Sequence, residues 1–183
     1  MNFIATNILL AYSSGYGATK EISNEIGKVL SEDPTLKVDL KAIDEIQEIG
    51  DYDAIVVGTS IRADRPLANT RDFFAMNRDI LTTKKVALFL VCLTASTEEG
   101  QEKVRENYFP QITEKYPAIK LISTAAFGGK VDFDKLNPVM QNLVRRVILE
   151  KTGKPSNGSF DARDWLKIHD WARDLAYRLK YSG

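Results

Sequence analysis

Short unbroken apolar runs alternate along the chain with longer stretches in which apolar residues recur every three or four positions. The unbroken runs predict strands at Asn7 to Tyr12, Lys37 to Leu40, Ala54 to Thr59, Lys85 to Leu93 and Lys120 to Phe127. A strand that is apolar at successive positions buries both of its faces, the condition of a parallel sheet covered on both sides. Between the strands, helical periodicity predicts helices at Thr19 to Leu30, Asn69 to Leu81 and Glu98 to Tyr116, the first with Ile22, Ile26, Val29 and Leu30 on one side. Such alternation implies right-handed crossovers and a doubly wound α/β sheet of five parallel strands.

After the fifth strand the pattern changes. Residues 128–158 contain a helix bounded by Pro138 and Gly153, with apolar residues at 136, 140, 143, 144, 147 and 148, and with Arg145, Arg146 and Lys151 on its other side. A basic amphipathic helix of this kind either covers a sheet or lies on an anionic membrane, so residues 136–151 carry a possible peripheral membrane contact. A last helix, Trp165 to Lys180, aligns Trp165, Ile168, Ala172, Leu175 and Leu179. With no internal repeat or low-complexity tract, residues 1–183 read as a single domain with a helical C-terminal extension from about 128.

Composition adds exclusions. Hydrophobic residues make up 44% and charged residues 27%, ordinary globular values, and 25 basic side chains balance 25 acidic ones, so no overall field favours nucleic acid. The neutral total conceals an asymmetry: residues 1–127 hold 14 basic and 18 acidic side chains, residues 128–183 hold 11 and 7. The single cysteine, Cys92, forms no internal disulfide. The N-terminus lacks the basic segment of a secretory leader, and the longest apolar run, Val86 to Leu93, is far below the roughly 20 residues that span a bilayer. A cytoplasmic protein with no metal site is expected.

The candidate chemistry concentrates where the first strand hands over to a helix, in AYSSGYGATKE, residues 11–21. In open α/β sheets ligands sit beyond the carboxyl ends of the strands at the switch point. There a helix N-terminus offers free N–H groups, glycine permits close approach, and hydroxyls donate to phosphate oxygens without a metal. A Walker A loop is absent, and the Rossmann fingerprint fails because Lys20 stands where its third glycine belongs. Phosphoacceptor receiver domains need paired acids where this chain has Ser13 and Ser14, and a low-molecular-weight phosphatase needs a cysteine in this loop.

SGYGAT, Ser14 to Thr19, resembles the phosphate loop of flavodoxins, with Tyr16 where a second hydroxyl residue usually stands. Together with VVGTSIR from Val56 and RDW and WA within residues 163–172, it resembles the flavodoxin-like menaquinone-dependent protoporphyrinogen oxidases. The resemblance implies a flavodoxin-like fold, strand order 2-1-3-4-5, and noncovalent FMN. With FMN at the switch point, the loop after the first strand puts Ser13, Ser14, Gly15, Tyr16, Gly17, Ala18 and Thr19 at the phosphate, and the ends of the third and fourth strands put Ser60, Ile61, Leu93, Thr94 and Ala95 at the ring. Arg62 is the candidate catalytic residue, stabilising charge or docking substrate; its plainer alternative is a surface pair with Asp64. The loops SIRADRP and TASTEEG offer none of the aromatics between which flavodoxins usually stack the ring, which implies looser ring binding.

Other residues favour plainer readings. Cys92 ends an apolar strand and reads as an inert core thiol, His169 as a helix-flank residue, and Trp165 and Trp171 as core. The resemblance implies an oxidoreductase moving electrons from a reduced tetrapyrrole to a quinone-like acceptor. The alternatives are an electron carrier that docks a redox partner protein, and a flavodoxin-fold module without redox activity.

Overall fold

A computed structural model describes residues 5–156 and 158–181. The leader reading of the N-terminus extends over residues 1–4, which lie outside the described residues. The strands are β1 (Thr6–Ser13), β2 (Leu36–Ala42), β3 (Ala54–Arg62), β4 (Arg65–Pro66), β5 (Lys85–Val91), β6 (Leu121–Phe127), β7 (Lys130–Val131) and β8 (Phe160–Asp161). The helices are α1 (Ala18–Ser31), α2 (Ala68–Met76), α3 (Arg78–Leu81), α4 (Glu98–Asn107), α5 (Pro110–Thr113), α6 (Pro138–Thr152) and α7 (Trp165–Tyr181).

The main sheet runs β2-β1-β3-β5-β6, all parallel, which is the expected 2-1-3-4-5 order once the short β4 is set aside. β4 adds an antiparallel sixth strand by folding back on β3. Successive strand residues feed opposite faces, which is why the runs are unbroken. Leu9, Ile55, Val57, Leu88 and Leu90 pack with Phe73, Phe74 and Leu81 of α2 and α3, Val104 of α4 and Ile112 of α5. Ile8, Leu10, Val56, Phe89 and Val91 pack with Ile22, Ile26 and Leu30 of α1 and with Ile168, Ala172 and Leu175 of α7.

Three predicted elements are shorter than the periodicity suggests. The Asn69 to Leu81 helix breaks at Asn77, whose side-chain amide donates to the Phe73 carbonyl at 2.9 Å and ends α2. The Glu98 to Tyr116 helix stops at Asn107, and Pro110, with no N–H to continue the ladder, opens the separate α5. The Lys85 to Leu93 strand ends at Val91; beyond it the Cys92 N–H bonds the Phe127 carbonyl and Leu93–Ser96 close into a 3-10 turn.

Residues 128–161 leave the sheet and return at one neck. β7 and β8 pair antiparallel there, Lys130 opposite Asp161, and Ala162 N–H donates to the Gly129 carbonyl at 2.9 Å. A Cβ on Gly128 would lie 2.1 Å from the Ala162 carbonyl oxygen, so only glycine lets the two chain segments meet. Arg163 pins the neck to α1: its guanidinium, 5% exposed, bonds Asp161 and Glu21 and lies 4.7 Å from the Trp165 ring centroid. Within the excursion, Asn137 caps α6 by accepting from Met140 N–H at 2.9 Å, Pro138 occupies its first turn, and Gly153 ends it in the left-handed conformation at φ 68°.

Candidate functional site

The first loop is shaped by Gly17, which precedes α1 with φ 98°, a conformation that side chains disfavour. Gly17 N–H donates to Ser14 Oγ at 3.0 Å, tightening the turn. The first intrahelical bond runs from Glu21 N–H to the Gly17 carbonyl, so the amides of Ala18, Thr19 and Lys20 precede the ladder, and no side chain caps them. Thr19, fully buried, has its Oγ1 2.7 Å from Ser60 Oγ, and Ser60 Oγ accepts from Gly15 N–H at 3.3 Å. Ser60 thus ties the end of β3 to this loop. Ser13 is also buried and donates to Asn69 Oδ1 at 2.5 Å.

Arg62 folds back over the same loop. Its guanidinium carbon lies 4.7 Å from the Tyr16 ring centroid, and a Cβ on Gly15 would come within 2.6 Å of its Nη2. The glycine therefore makes room for the guanidinium. Asp64 is not its partner: the carboxylate receives Tyr108 Oη–H and lies 3.2 Å from Lys151 Nζ, while the Asp64 carbonyl accepts from Gln111 Nε2 at 2.8 Å. The Tyr108 hydroxyl, more than Lys151, holds the Asp64 carboxyl below its ordinary range. These bonds fix a two-residue hairpin at Ala63 and Asp64, both at positive φ (49° and 57°), a turn that usually requires glycine or asparagine and is strained here.

Beyond β5, the turn at Leu93–Ser96 is pressed against α4. Gln101 Nε2 donates to the Ala95 carbonyl at 2.7 Å, and Thr97 Oγ1 caps α4 by accepting from Gly100 N–H at 3.0 Å. Opposite these loops stands α6. Its apolar stripe lines a cavity of about 500 Å³: Leu136, Met140, Leu143, Val144 and Val147 form one wall. Val91, Leu93 and Ile61 form another, and Gly15, Tyr16, Ala18, Ser60 and Arg62 close it toward the first loop. A second, more open hollow among Glu98, Glu99, Gln101, Glu102 and Arg105 lies on the polar surface of α4. Arg145 faces away from the cavity stripe, lying over Phe133 and donating to the Ser156 carbonyl at 2.7 Å.

Of the residues singled out in the sequence, Gly15, Tyr16, Ala18, Ser60, Ile61, Arg62, Leu93 and Thr94 line this cavity. Ser13, Ser14, Gly17, Thr19 and Ala95 stand behind them and shape the loops. Sequence reasoning missed the α6 wall, Gly129 to Val131 at the neck, and Lys151. Trp171 packs against Phe89 and Phe127 and donates to Ser123 Oγ, and His169 Nε2 lies 3.5 Å from Glu25, so both stand apart from the cavity. No helix among the described residues is long and apolar enough to cross a membrane.

Cys92 reaches the cavity wall, but burial pushes its thiol up to about 11. At pH 8 the thiolate is then rare, and alkylation by iodoacetamide is expected to run about 100-fold slower than for a free cysteine. Mass spectrometry of timed samples reads the rate directly.

The donor set and the walls suit a phosphorylated, planar apolar ligand: unpaired helix amides, hydroxyls and a guanidinium at one place, aliphatic side chains beside it. The flavodoxin-domain family matches residues 9–157. A comparison with curated proteins finds no match. Among solved structures, the chain is similar to a flavodoxin from the domain Archaea (14% identity, 96% of this chain and 100% of that one, TM-score 0.59). It is similar to a WrbA-like flavodoxin from Agrobacterium tumefaciens (16%, 96% and 98%, TM-score 0.56). It also matches rubredoxin oxygen:oxidoreductase from Desulfovibrio gigas at 12% identity and TM-score 0.59, over 97% of this chain but 37% of that longer one.

Proposed function

We infer that this chain, which belongs to the flavodoxin-domain family of FMN-binding proteins, holds FMN in the cavity between its first loop and α6 and uses it for electron transfer. The observation that carries the reading is the convergence on one loop of uncapped α1 amides, the Thr19–Ser60 hydroxyl pair and the Arg62 guanidinium. In this reading the amides of Ala18, Thr19 and Lys20 receive the phosphate, with Ser14 and Thr19 shaping the loop, and Arg62 neutralises its charge. The aliphatic side chains of α6 exclude water from the ring, in place of the stacked aromatics usual in flavodoxins. FMN supplies one- and two-electron chemistry; the protein supplies position, charge and a dry wall.

Titration of the flavin-free protein, followed by flavin fluorescence, tests this. FMN is expected to bind and riboflavin to bind more weakly; Arg62→Ala is expected to weaken FMN about tenfold and riboflavin little. Equal affinity for the two flavins overturns the phosphate assignment.

The finer reading, an oxidase passing electrons from a reduced tetrapyrrole to a quinone, rests on the resemblance carried by SGYGAT, VVGTSIR and RDW. The coarser one, a carrier serving a redox partner, rests on the family. Turnover with protoporphyrinogen and a menaquinone analogue separates them. Membrane contact through residues 136–151 is a third, independent proposal: the exposed Val139, Leu143 and Leu149 favour it, and the engagement of Arg145 by the Ser156 carbonyl counts against it.

A further inference from the structure

Lys151 stands in the last turn of α6, and its ammonium enters the cavity wall between two loops that approach from the sheet. Its Nζ donates to Thr94 Oγ1 at 3.0 Å, in the turn after β5, and to Asp64 Oδ1 at 3.2 Å, in the β3–β4 hairpin. Neither partner belongs to the phosphate loop. The lysine side chain is 26% exposed and Asp64 63%, so the positive member of the pair is the one held against the cavity's apolar lining, while its counter-charge faces water. Burial works against the ammonium, but Asp64 and Tyr108 outweigh it, and Lys151 titrates above the usual lysine range. A charge fixed among aliphatic side chains acts at much lower effective dielectric than one in solvent.

We propose that Lys151, opposed by Asp64, sets the electron affinity of the flavin held in this cavity. The proposal rests on the FMN reading above. Two-electron reduction with uptake of one proton leaves one net negative charge on the ring system; a cation in the cavity wall favours that state, and the Asp64 carboxylate disfavours it. The two side chains therefore act on the potential with opposite signs, although both join the same loops. A merely structural clamp has no such sign: losing either half would loosen the same contact and lower FMN affinity in both variants.

The test is the two-electron midpoint potential of the FMN-loaded protein, taken against a reference dye as both are reduced, with FMN affinity measured alongside. Lys151→Met is expected to lower the ratio of reduced-flavin to oxidised-flavin affinity about tenfold, equivalent to about 30 mV for a two-electron couple. Asp64→Asn is expected to raise it, and Lys151→Arg to stay near the parent. Loss of the lysine is also expected to raise the pH at which the slope of potential against pH changes. Shifts of the same sign in Lys151→Met and Asp64→Asn, or no shift in either, overturn the proposal and leave the FMN reading standing. Should Lys151→Met not fold, Lys151→Gln and Asp64→Asn carry the same comparison. A parent protein that takes up no FMN overturns both readings together.

Discussion

Thr19→Val is expected to weaken FMN binding by about 10- to 100-fold while leaving riboflavin binding nearly unchanged. Valine matches threonine in shape, so the fully buried site is refilled, and what disappears is one hydroxyl. That hydroxyl lies 2.7 Å from Ser60 Oγ, which in turn holds the Gly15 N–H. Its loss leaves Ser60 short of a partner and loosens the segment over which Arg62 lies. Hydrogen bonds in a network serving a charged group contribute about 1.5–3 kcal/mol, which sets the range of affinity loss. Thr19→Ser keeps the hydroxyl and is expected to recover most of it. Fluorescence titration with both flavins reads the effect, and urea unfolding is expected to show a smaller loss of about 1–2 kcal/mol. An unchanged FMN affinity in Thr19→Val would place the phosphate elsewhere.

The sheet was legible because each central strand supplies both apolar faces: Leu9 and Ile8, Val57 and Val56, Leu88 and Phe89 go to opposite cores. Helix breaks were not, since Phe73, Phe74 and Leu81 keep an apolar face across Asn77, and periodicity reports the face rather than the continuity of the backbone. The first loop could be read from Gly17, whose left-handed φ is a local property. The hairpin at Ala63 and Asp64 could not, because alanine does not announce a positive φ, although aspartate tolerates one; distant bonds from Tyr108, Lys151 and Gln111 hold it there. The stripe on α6 declared that one side is covered without saying by what. In the sequence Lys151 reads with Arg145 and Arg146 as part of the polar side, yet it follows Val147 by four residues and so continues the cavity-facing row. The excursion from 128 to 161 thus supplies both the dry wall and the charge, and the RDW motif gains a structural meaning, since Arg163 pins the neck that holds α6 in place.

That dependence of the cavity on its supports gives the second large effect, at Gly100. In an ordinary helix, glycine to alanine stabilises by about 1 kcal/mol. Here the sign is expected to reverse. A Cβ on Gly100 would sit 1.6 Å from the Thr94 carbonyl oxygen and 2.9 Å from Thr97 Oγ1, which is backbone contact that no rotamer change relieves. Either the first turn of α4 retreats from the sheet, breaking the Gln101 bonds to the carbonyls of Ala95 and Ala126, or the Leu93–Ser96 turn is driven into the cavity. Overpacking of this kind costs about 1–3 kcal/mol and occasionally more. The second movement displaces Thr94, whose hydroxyl accepts from Lys151, and the first removes the Gln101 bond that steadies the turn carrying it, so Gly100→Ala is expected to lower FMN affinity and to shift the flavin potential in the direction of Lys151→Met. Urea unfolding and the same dye-coupled reduction measure the two consequences separately. A Gly100→Ala protein as stable as its parent would mean that α4 and this turn are not packed as closely as the glycine requires.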